Sequence, residues 1–214
     1  MSFDTRILDM RGAMVEFLQR VGDAIGTFTV GNQLESYTAQ VDIFRSFKAR
    51  QMLYKAVALD TSFLAYYECL LRQIVLPHLA TFVTERVFYC QWPPSLRVQP
   101  GPSESHGRIH CDAEYGHQPG ELNFWMPLTF FPLTGTTLWA ESSPGLGDFH
   151  PLPVDYGQLA RFHGTACRHY VPGNSTSSTR VSMDFRVGLG RAYFDPEWQL
   201  SGVKVQHGRK KIEL

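Results

Sequence analysis

The chain has 214 residues, and its 20 Lys and Arg residues balance its 20 Asp and Glu residues, so the formal net charge is zero. Nucleic-acid-binding proteins usually carry a basic excess, so this balance argues against that class. With 43% hydrophobic residues the chain is too apolar to be disordered. It has no apolar run of about 18 residues, which argues against a membrane protein. The length predicts a single domain spanning 1–214.

The four cysteines predict a protein with reduced thiols. They form no Cys-x-x-Cys pair and fit no zinc-binding spacing, and they are too few for a disulfide-dense secreted scaffold. The N-terminus shows no basic stretch followed by an apolar one, as a secretory signal would. We therefore expect a cytoplasmic protein. The cysteines are Cys69, Cys90, Cys111 and Cys167.

Residues 1–84 are predicted to form a helical support region, because apolar residues recur there at three- and four-residue steps. A second helix is predicted from Val41 and Phe44 to Leu53, and a third over 63–75, ending near Pro77. Amphipathic helices of this kind need an apolar surface to cover. The first helix shows the pattern most clearly, at Ile7, Met10, Met14, Leu18 and Val21.

Residues 85–188 are predicted to form an antiparallel β core, since short alternating segments follow one another without helices between them. The last segment, 189–214, is a C-terminal tail. Its cluster Arg209-Lys210-Lys211 is predicted to be a solvated end, and its aromatic residues Tyr193, Phe194 and Trp198 suggest a lid or a dimer contact. The candidate strands span 87–90, 95–99, 107–112, 121–130, 136–141, 158–163 and 179–188.

Alternation along the strands separates an apolar face from a polar one, because residues i and i+2 share a face. In 180–187 the apolar face holds Val181, Met183, Phe185 and Val187, and Arg180, Ser182, Asp184 and Arg186 lie opposite. In 121–130 the polar face carries Asn123 and Trp125. These faces contain hardly any Lys or Glu. The pattern favours a barrel-like sandwich with helices outside and a polar cavity inside; the alternative is a sheet with one solvated face.

The segment His110-Cys111-Asp112 predicts part of a metal site. His-x-Asp on a strand aims an imidazole and a carboxylate to one side, and one distant histidine completes a set of two histidines and one carboxylate, which suits non-heme Fe(II). We expect His169 as that histidine. His163 is its main rival, and His106 is a further candidate in the loop before the motif.

Arg180 and Ser182 predict a clamp for a carboxylate. They share a face of one candidate strand, eleven and thirteen residues after His169. A guanidinium forms two parallel charge-assisted hydrogen bonds with a carboxylate.

This order and spacing resembles the Fe(II)/2-oxoglutarate-dependent oxygenases. That family has a double-stranded β-helix fold, a jelly-roll of the cupin type, with helices packed on the outer face of its major sheet. Over about 85–188 the chain also resembles a subgroup typified by a hydroxylase of streptomycin biosynthesis. The matching segments are Leu96-Arg97-Val98, His110-Cys111-Asp112, Tyr115-Gly116-His117, 123–129, 138–142, His169 and 179–186.

The resemblance implies that His110, Asp112 and His169 bind Fe(II) and are catalytic, and that Arg180 with Ser182 binds 2-oxoglutarate. It implies hydroxylation by O₂ with release of succinate and CO₂; desaturation and ring formation stay open. From its face, Asn123 is expected beside the cosubstrate or the metal-bound carboxylate. The polar side chains predict a small polar substrate, such as an amino acid or a sugar. Candidate substrate-binding residues are Arg97, Tyr115, His117, Trp125, Glu141 and Arg186.

Two other functions stay open. One is a cupin-like metal-dependent isomerase or hydrolase, which would have no need of the Arg180 and Ser182 clamp. The other is a non-catalytic protein that binds a small molecule, which would have no reason to keep all three metal ligands together. The tail leaves a monomer and a homodimer as alternatives.

Overall fold

The computed structural model describes residues 1–22, 25–39, 47–190, 194–197 and 208–214. Four residues used in the predictions, Val41, Phe44, Tyr193 and Trp198, lie outside these ranges. So does the side chain of His106, although the structure describes its backbone.

Helices dominate the N-terminal region, as predicted. Helix α1 spans Met10–Val21, α2 Phe47–Leu59, α3 Thr61–Leu70, and a π-helical turn, Leu71–Val75, joins α3 to α4, Leu76–Leu79. Carboxylates cap two N-termini, because Asp9 accepts a hydrogen bond from the Gly12 amide and Asp60 one from the Phe63 amide, and such caps satisfy amides that lack a helical partner.

Besides a short N-terminal hairpin, the described strands form two antiparallel sheets. These strands are β3 Val87–Gln91, β4 Ser95–Gln99, β5 His106–His110, β6 Glu121–Pro127, β7 Trp139–Ala140, β8 His150–Pro151, β9 Ala160–Phe162, β10 His169–Val171, β11 Arg180–Leu189 and β12 Arg209–Glu213. The larger sheet has the order β12-β3-β11-β6-β9, with β4 also paired to β11, and the smaller has the order β5-β10-β7-β8. A short helix α5, Phe131–Thr134, follows β6.

The helices pack on the apolar face of the larger sheet, as the alternation predicts. Tyr67 of α3 contacts Phe185 of β11 with ring centroids 5.2 Å apart, and Phe17 of α1 lies 5.5 Å from Phe63. All four are fully buried in one core cluster with the outward residues of β6 and β11. On the other face, Trp125 of β6 packs with Leu138 and with Val171 of β10, which joins the two sheets.

A buried ion pair ties α1 to the end of β6. Arg11 donates to both oxygens of Glu35, at 2.8 and 2.5 Å, and to the Leu128 carbonyl at 2.9 Å. Glu35 also accepts from the Phe130 amide at 2.9 Å. Burial alone would raise the pKa of the Glu35 carboxyl, but the hydrogen bond from Arg11 and that amide together lower it.

Three sequence-based expectations are wrong in detail. The N-terminal region contains a β-hairpin, β1 Gly26–Phe28 with β2 Tyr37–Ala39, because strands of three residues leave no periodic signal. The helical path continues past Pro77 to Leu79, since proline is tolerated in a first helical turn.

The third concerns the basic cluster, which belongs to an edge strand. Arg209–Glu213 pairs with Val87–Gln91 as β12. Arg209 contacts Glu121 and Lys210 contacts Glu68, each at 2.7 Å, so buried or half-buried acids on neighbouring elements hold these cations.

Within the described ranges, no helix has the length and apolarity needed to cross a membrane.

Candidate metal centre and carboxylate clamp

Strand pairing brings the three predicted metal ligands together. His110 ends β5 and lies directly opposite His169, the first residue of β10. The sequence pattern predicts Asp112 on the same strand as His110, but in the structure Asp112 is the first residue of a 3₁₀ turn, Asp112–Tyr115. Its amide donates to the Gly164 carbonyl at 2.8 Å. One ligand atom from each of the three residues lies within 4.8 Å of the others.

The two oxygens of Asp112 have different surroundings. Oδ1 lies 3.8 Å from His110 Nε2 and 3.7 Å from His169 Nε2. Oδ2 accepts a hydrogen bond from Arg186 Nε at 2.7 Å and one from Asn123 Nδ2 at 2.6 Å. Two donors therefore occupy Oδ2, and only Oδ1 faces the imidazoles.

In both imidazoles the Nε2 atom, without a hydrogen, faces the centre of the cluster. His110 Nδ1 lies 2.8 Å from the Arg108 carbonyl, and His169 Nδ1 lies 3.1 Å from the Cys167 carbonyl. Because a carbonyl only accepts hydrogen bonds, each Nδ1 carries the hydrogen in the neutral ring, which leaves an Nε2 lone pair for a ligand.

The electrostatics favour a neutral histidine beside an ionised carboxylate. Burial lowers the pKa of His169. Burial alone would raise the pKa of Asp112, but the charge and hydrogen bond of Arg186 outweigh it and hold that pKa far below its usual range. Two imidazole nitrogens and one carboxylate form a donor set suited to Fe(II).

The inward side of β11, with Arg180, Ser182, Asp184 and Arg186, forms a polar face. At one end of this face Arg186 contacts Asp112 of the metal cluster. Arg180 lies at the other end and is 2% exposed. Its Nε donates to Gln99 Oε1 and its Nη1 donates to Ser182 Oγ, both at 2.8 Å. Its Nη2 is buried and has no hydrogen-bond partner among the described residues. Burial lowers the pKa of this guanidinium to about 10, so it stays charged at neutral pH.

Arg180 lines a small cavity together with Trp125 and several threonines. Of these threonines, Thr137 has a buried hydroxyl without a partner among the described residues, whereas Thr129 and Thr136 donate to the backbone carbonyls of Val181 and Pro172. Two unsatisfied buried donors in one cavity are unusual, and a carboxylate would satisfy both.

The other residues that the sequence predicts to bind substrate differ in their distance from the metal cluster and the inner face. Arg97 and Trp125 lie on the inner face, in register with Ser182 and Asp184. Tyr115 packs against the ring of His110 with centroids 5.1 Å apart. Arg186 contacts Asp112 and also donates to Gln91 Oε1 at 3.0 Å, so its contacts serve the metal cluster.

His117 and Glu141, which the sequence predicts to bind substrate, have their partners away from the metal cluster. His117 is buried, and its Nδ1 lies 2.5 Å from Glu121. Glu141 accepts hydrogen bonds from Arg168 and from the amides of Gly145 and Gly147. Its carboxylate therefore fixes the loop after β7. Arg168 lowers the pKa of Glu141 to about 2, with help from these amides.

His163, the rival ligand, is exposed and is not part of the cluster. Asp184 of the polar face pairs with Arg97 at 2.8 Å and lies 4.0 Å from Arg186.

Sequence reasoning missed Gln91 and Thr137. Gln91 ends a buried strand, where an uncharged amide among apolar neighbours was the only available signal. Thr137 gave none, because its importance lies in facing Arg180 across the cavity.

The sequence matches no family model. It is 37% identical over 108 residues to the streptomycin biosynthesis protein StrG of Streptomyces griseus, a match that covers 50% of each chain. The chain thus matches about half the length of this curated relative.

Two solved structures share the fold. CytC3 with Fe(II) and alpha-ketoglutarate has a TM-score of 0.54 at 14% identity, over 97% of this chain and 80% of CytC3. The non-heme monooxygenase ThoJ, in its apo form, has a TM-score of 0.51 at 15% identity, over 89% of this chain and 72% of ThoJ. The resemblance to the Fe(II)/2-oxoglutarate oxygenases is therefore confirmed in fold, and the resemblance to streptomycin-biosynthesis proteins is confirmed over half of the sequence.

Proposed function

We propose that this chain is an Fe(II)/2-oxoglutarate-dependent oxygenase, folded as a single double-stranded β-helix domain, that hydroxylates a small polar metabolite. One observation carries the proposal. Each end of the polar face offers groups that a ligand could bind. At one end, His110, Asp112 and His169 direct lone pairs to a common centre. At the other end, the buried Nη2 of Arg180 has no hydrogen-bond partner among the described residues.

The metal fits the residues present. His110 Nε2, His169 Nε2 and Asp112 Oδ1 would hold Fe(II). Because Asn123 and Arg186 occupy Oδ2, the carboxylate offers a single oxygen. Three such ligands leave other coordination positions open for small molecules.

The cosubstrate fits the other end. A dicarboxylate that reaches from the metal into the cavity would place its far carboxylate at Arg180 Nη2 and Thr137 Oγ1. Gln99 and Ser182 fix the remaining guanidinium donors, so the free edge of Arg180 is aimed before the ligand arrives. Preorganised donors of this kind bind with little ordering cost.

Fe(II), 2-oxoglutarate and O₂ supply the oxidising chemistry when bound. The protein's part is to place these groups and to exclude bulk water. Asp112 stays ionised beside Arg186, and His169 stays neutral because it is buried. An isomerase or hydrolase would have no use for Arg180, so the clamp favours the oxygenase.

The test is succinate formation. Protein reconstituted with Fe(II) under argon is mixed with 2-oxoglutarate, O₂ and a panel of amino acids and sugars, and succinate is measured by chromatography. We expect Fe(II)-dependent succinate that a true substrate stimulates, and none from Asp112→Ala. Undiminished succinate from Asp112→Ala, or none from the wild type under any condition, would contradict the proposal.

A further inference from the structure

The polar face carries a second charged pair between the metal cluster and the clamp. Arg97 on β4 lies opposite Ser182, and Asp184 on β11 lies opposite Ser95 on one side and Trp125 on the other. Arg97 Nε donates to Asp184 Oδ1 at 2.8 Å, and its Nη2 lies 3.4 Å from Oδ2. Asp184 in turn lies 4.0 Å from Arg186, which holds Asp112.

Solvent reaches this pair from the inside of the molecule. Arg97 is the one residue of β4 that is not buried, and Asp184 is the one such residue of β11 between Arg180 and Gly188. Their side chains are 36% and 20% exposed. Because β11 is paired on both edges and its apolar face is covered by the helical core, the exposed surface of Asp184 lies on the inner face of the larger sheet.

Arg97 also keeps donors available. Its Nε and Nη2 are directed to Asp184, and its Nη1 makes no hydrogen bond with any described residue. Unlike the Arg180 guanidinium, this free edge is open to solvent, so a soluble molecule can approach it.

The charges of the face favour an anion. Three guanidinium groups, those of Arg97, Arg180 and Arg186, face two carboxylates, those of Asp112 and Asp184. A divalent metal and a dianionic cosubstrate would cancel each other and leave an excess of one positive charge. A hydrogen bond between a guanidinium and an anionic group is charge-assisted and therefore strong.

We propose that Arg97 Nη1 is a subsite for an anionic group, a carboxylate or a phosphate, carried by the substrate to be oxidised. Asp184 holds the guanidinium so that this edge points into the cavity. The inference rests on the proposed function, and it narrows the substrate class from polar to anionic.

The test uses full-length protein loaded with Ni(II) and 2-oxoglutarate, so that no turnover occurs. Methylphosphonate, propionate and tetramethylammonium are titrated in separately by calorimetry. We expect an anion to bind and the cation not to bind. The anion that binds with the higher affinity shows whether the substrate carries a phosphate or a carboxylate.

Substitutions of Arg97 and of Asp184 should change the affinity for the anion in opposite directions. Arg97→Gln should weaken anion binding about tenfold or more, because a hydrogen bond to a charged group is lost, and Arg97→Lys should restore part of it. Asp184→Asn should tighten binding, because it removes the carboxylate that competes for Arg97. A gain of affinity cannot arise from misfolding.

Anion affinity that is equal in wild type and Arg97→Gln, or preferred binding of tetramethylammonium, would overturn the inference. So would a loss of 2-oxoglutarate affinity in Arg97→Gln as large as in an Arg180 variant, since the anion at Arg97 would then be the cosubstrate. Failure of the proposed function looks different: metal-loaded wild type would not bind 2-oxoglutarate at all.

Discussion

The two ends of the polar face differ in how completely their buried groups are satisfied. At the metal end, Asp112 Oδ2 accepts two hydrogen bonds, and Arg186 has both Asp112 and Gln91 as partners. At the clamp end, Arg180 Nη2 and Thr137 Oγ1 have none among the described residues. The metal end is therefore built for stability as well as binding, whereas the clamp end has unpaired donors that a ligand can use. Substitutions at the two ends should therefore separate folding from binding.

The largest expected effect is that of Arg186→Leu on the free energy of unfolding. The change leaves the Asp112 carboxylate buried without its cation, which destabilises proteins by about 3–5 kcal/mol. Urea unfolding of the metal-free protein measures it. As a control, Arg20→Leu removes the partner of Asp60 at a half-exposed site and should change stability by about 1 kcal/mol or less. Equal effects of the two variants would refute the contrast between buried and exposed pairs.

Arg180→Met should reduce ligand binding more than it reduces stability. We expect 2-oxoglutarate affinity to fall about 30-fold or more, because a charged hydrogen-bond donor is removed, with metal affinity little changed. Unfolding of the metal-free protein should shift less than in Arg186→Leu, since the guanidinium is not fully paired. Calorimetry with Ni(II) and then with 2-oxoglutarate separates the two affinities. Parallel losses of both would mean that Arg180 supports the metal cluster instead.

Glu35→Gln extends the comparison to an ion pair outside the polar face. We expect about 1–2 kcal/mol lower stability at pH 7, from the loss of charge-assisted hydrogen bonds. Because the pKa of Glu35 is lower in the folded than in the unfolded chain, this stability is present above the unfolded pKa and disappears as the pH falls through the folded one. Unfolding curves of both proteins should therefore converge under acidic conditions. A difference that persists there would show a packing defect.

Thr137→Val has the smallest expected effect. The substitution preserves shape and removes an unsatisfied hydroxyl, so stability should stay the same or rise slightly. Affinity for 2-oxoglutarate should fall about tenfold, because one hydrogen bond to a carboxylate is lost. Thr136→Val, which loses a backbone hydrogen bond in the same cavity, is the matched control for stability. Unchanged 2-oxoglutarate affinity would remove Thr137 from the clamp.

The local part of the site and the distant ligand His169 could be predicted from the sequence, whereas most of the strand pairing could not. His110 and Asp112 are two residues apart, and Arg180 and Ser182 alternate on one strand, so spacing alone suggested their chemistry. The strands β8 and β10 are too short to leave a pattern, and β12 pairs with a strand more than a hundred residues away. The partners of Glu141 are Arg168 and two amides of its own loop, and side-chain patterns do not show such contacts.

The most direct test of the account is the anaerobic visible spectrum of the protein with Fe(II) and 2-oxoglutarate. Chelation of the metal by the cosubstrate should give a weak charge-transfer band in the wild type. The band should vanish in His110→Ala and should require far more 2-oxoglutarate in Arg180→Met. No band in the wild type, or a band that His110→Ala leaves unchanged, would contradict the assignment of both ends of the polar face.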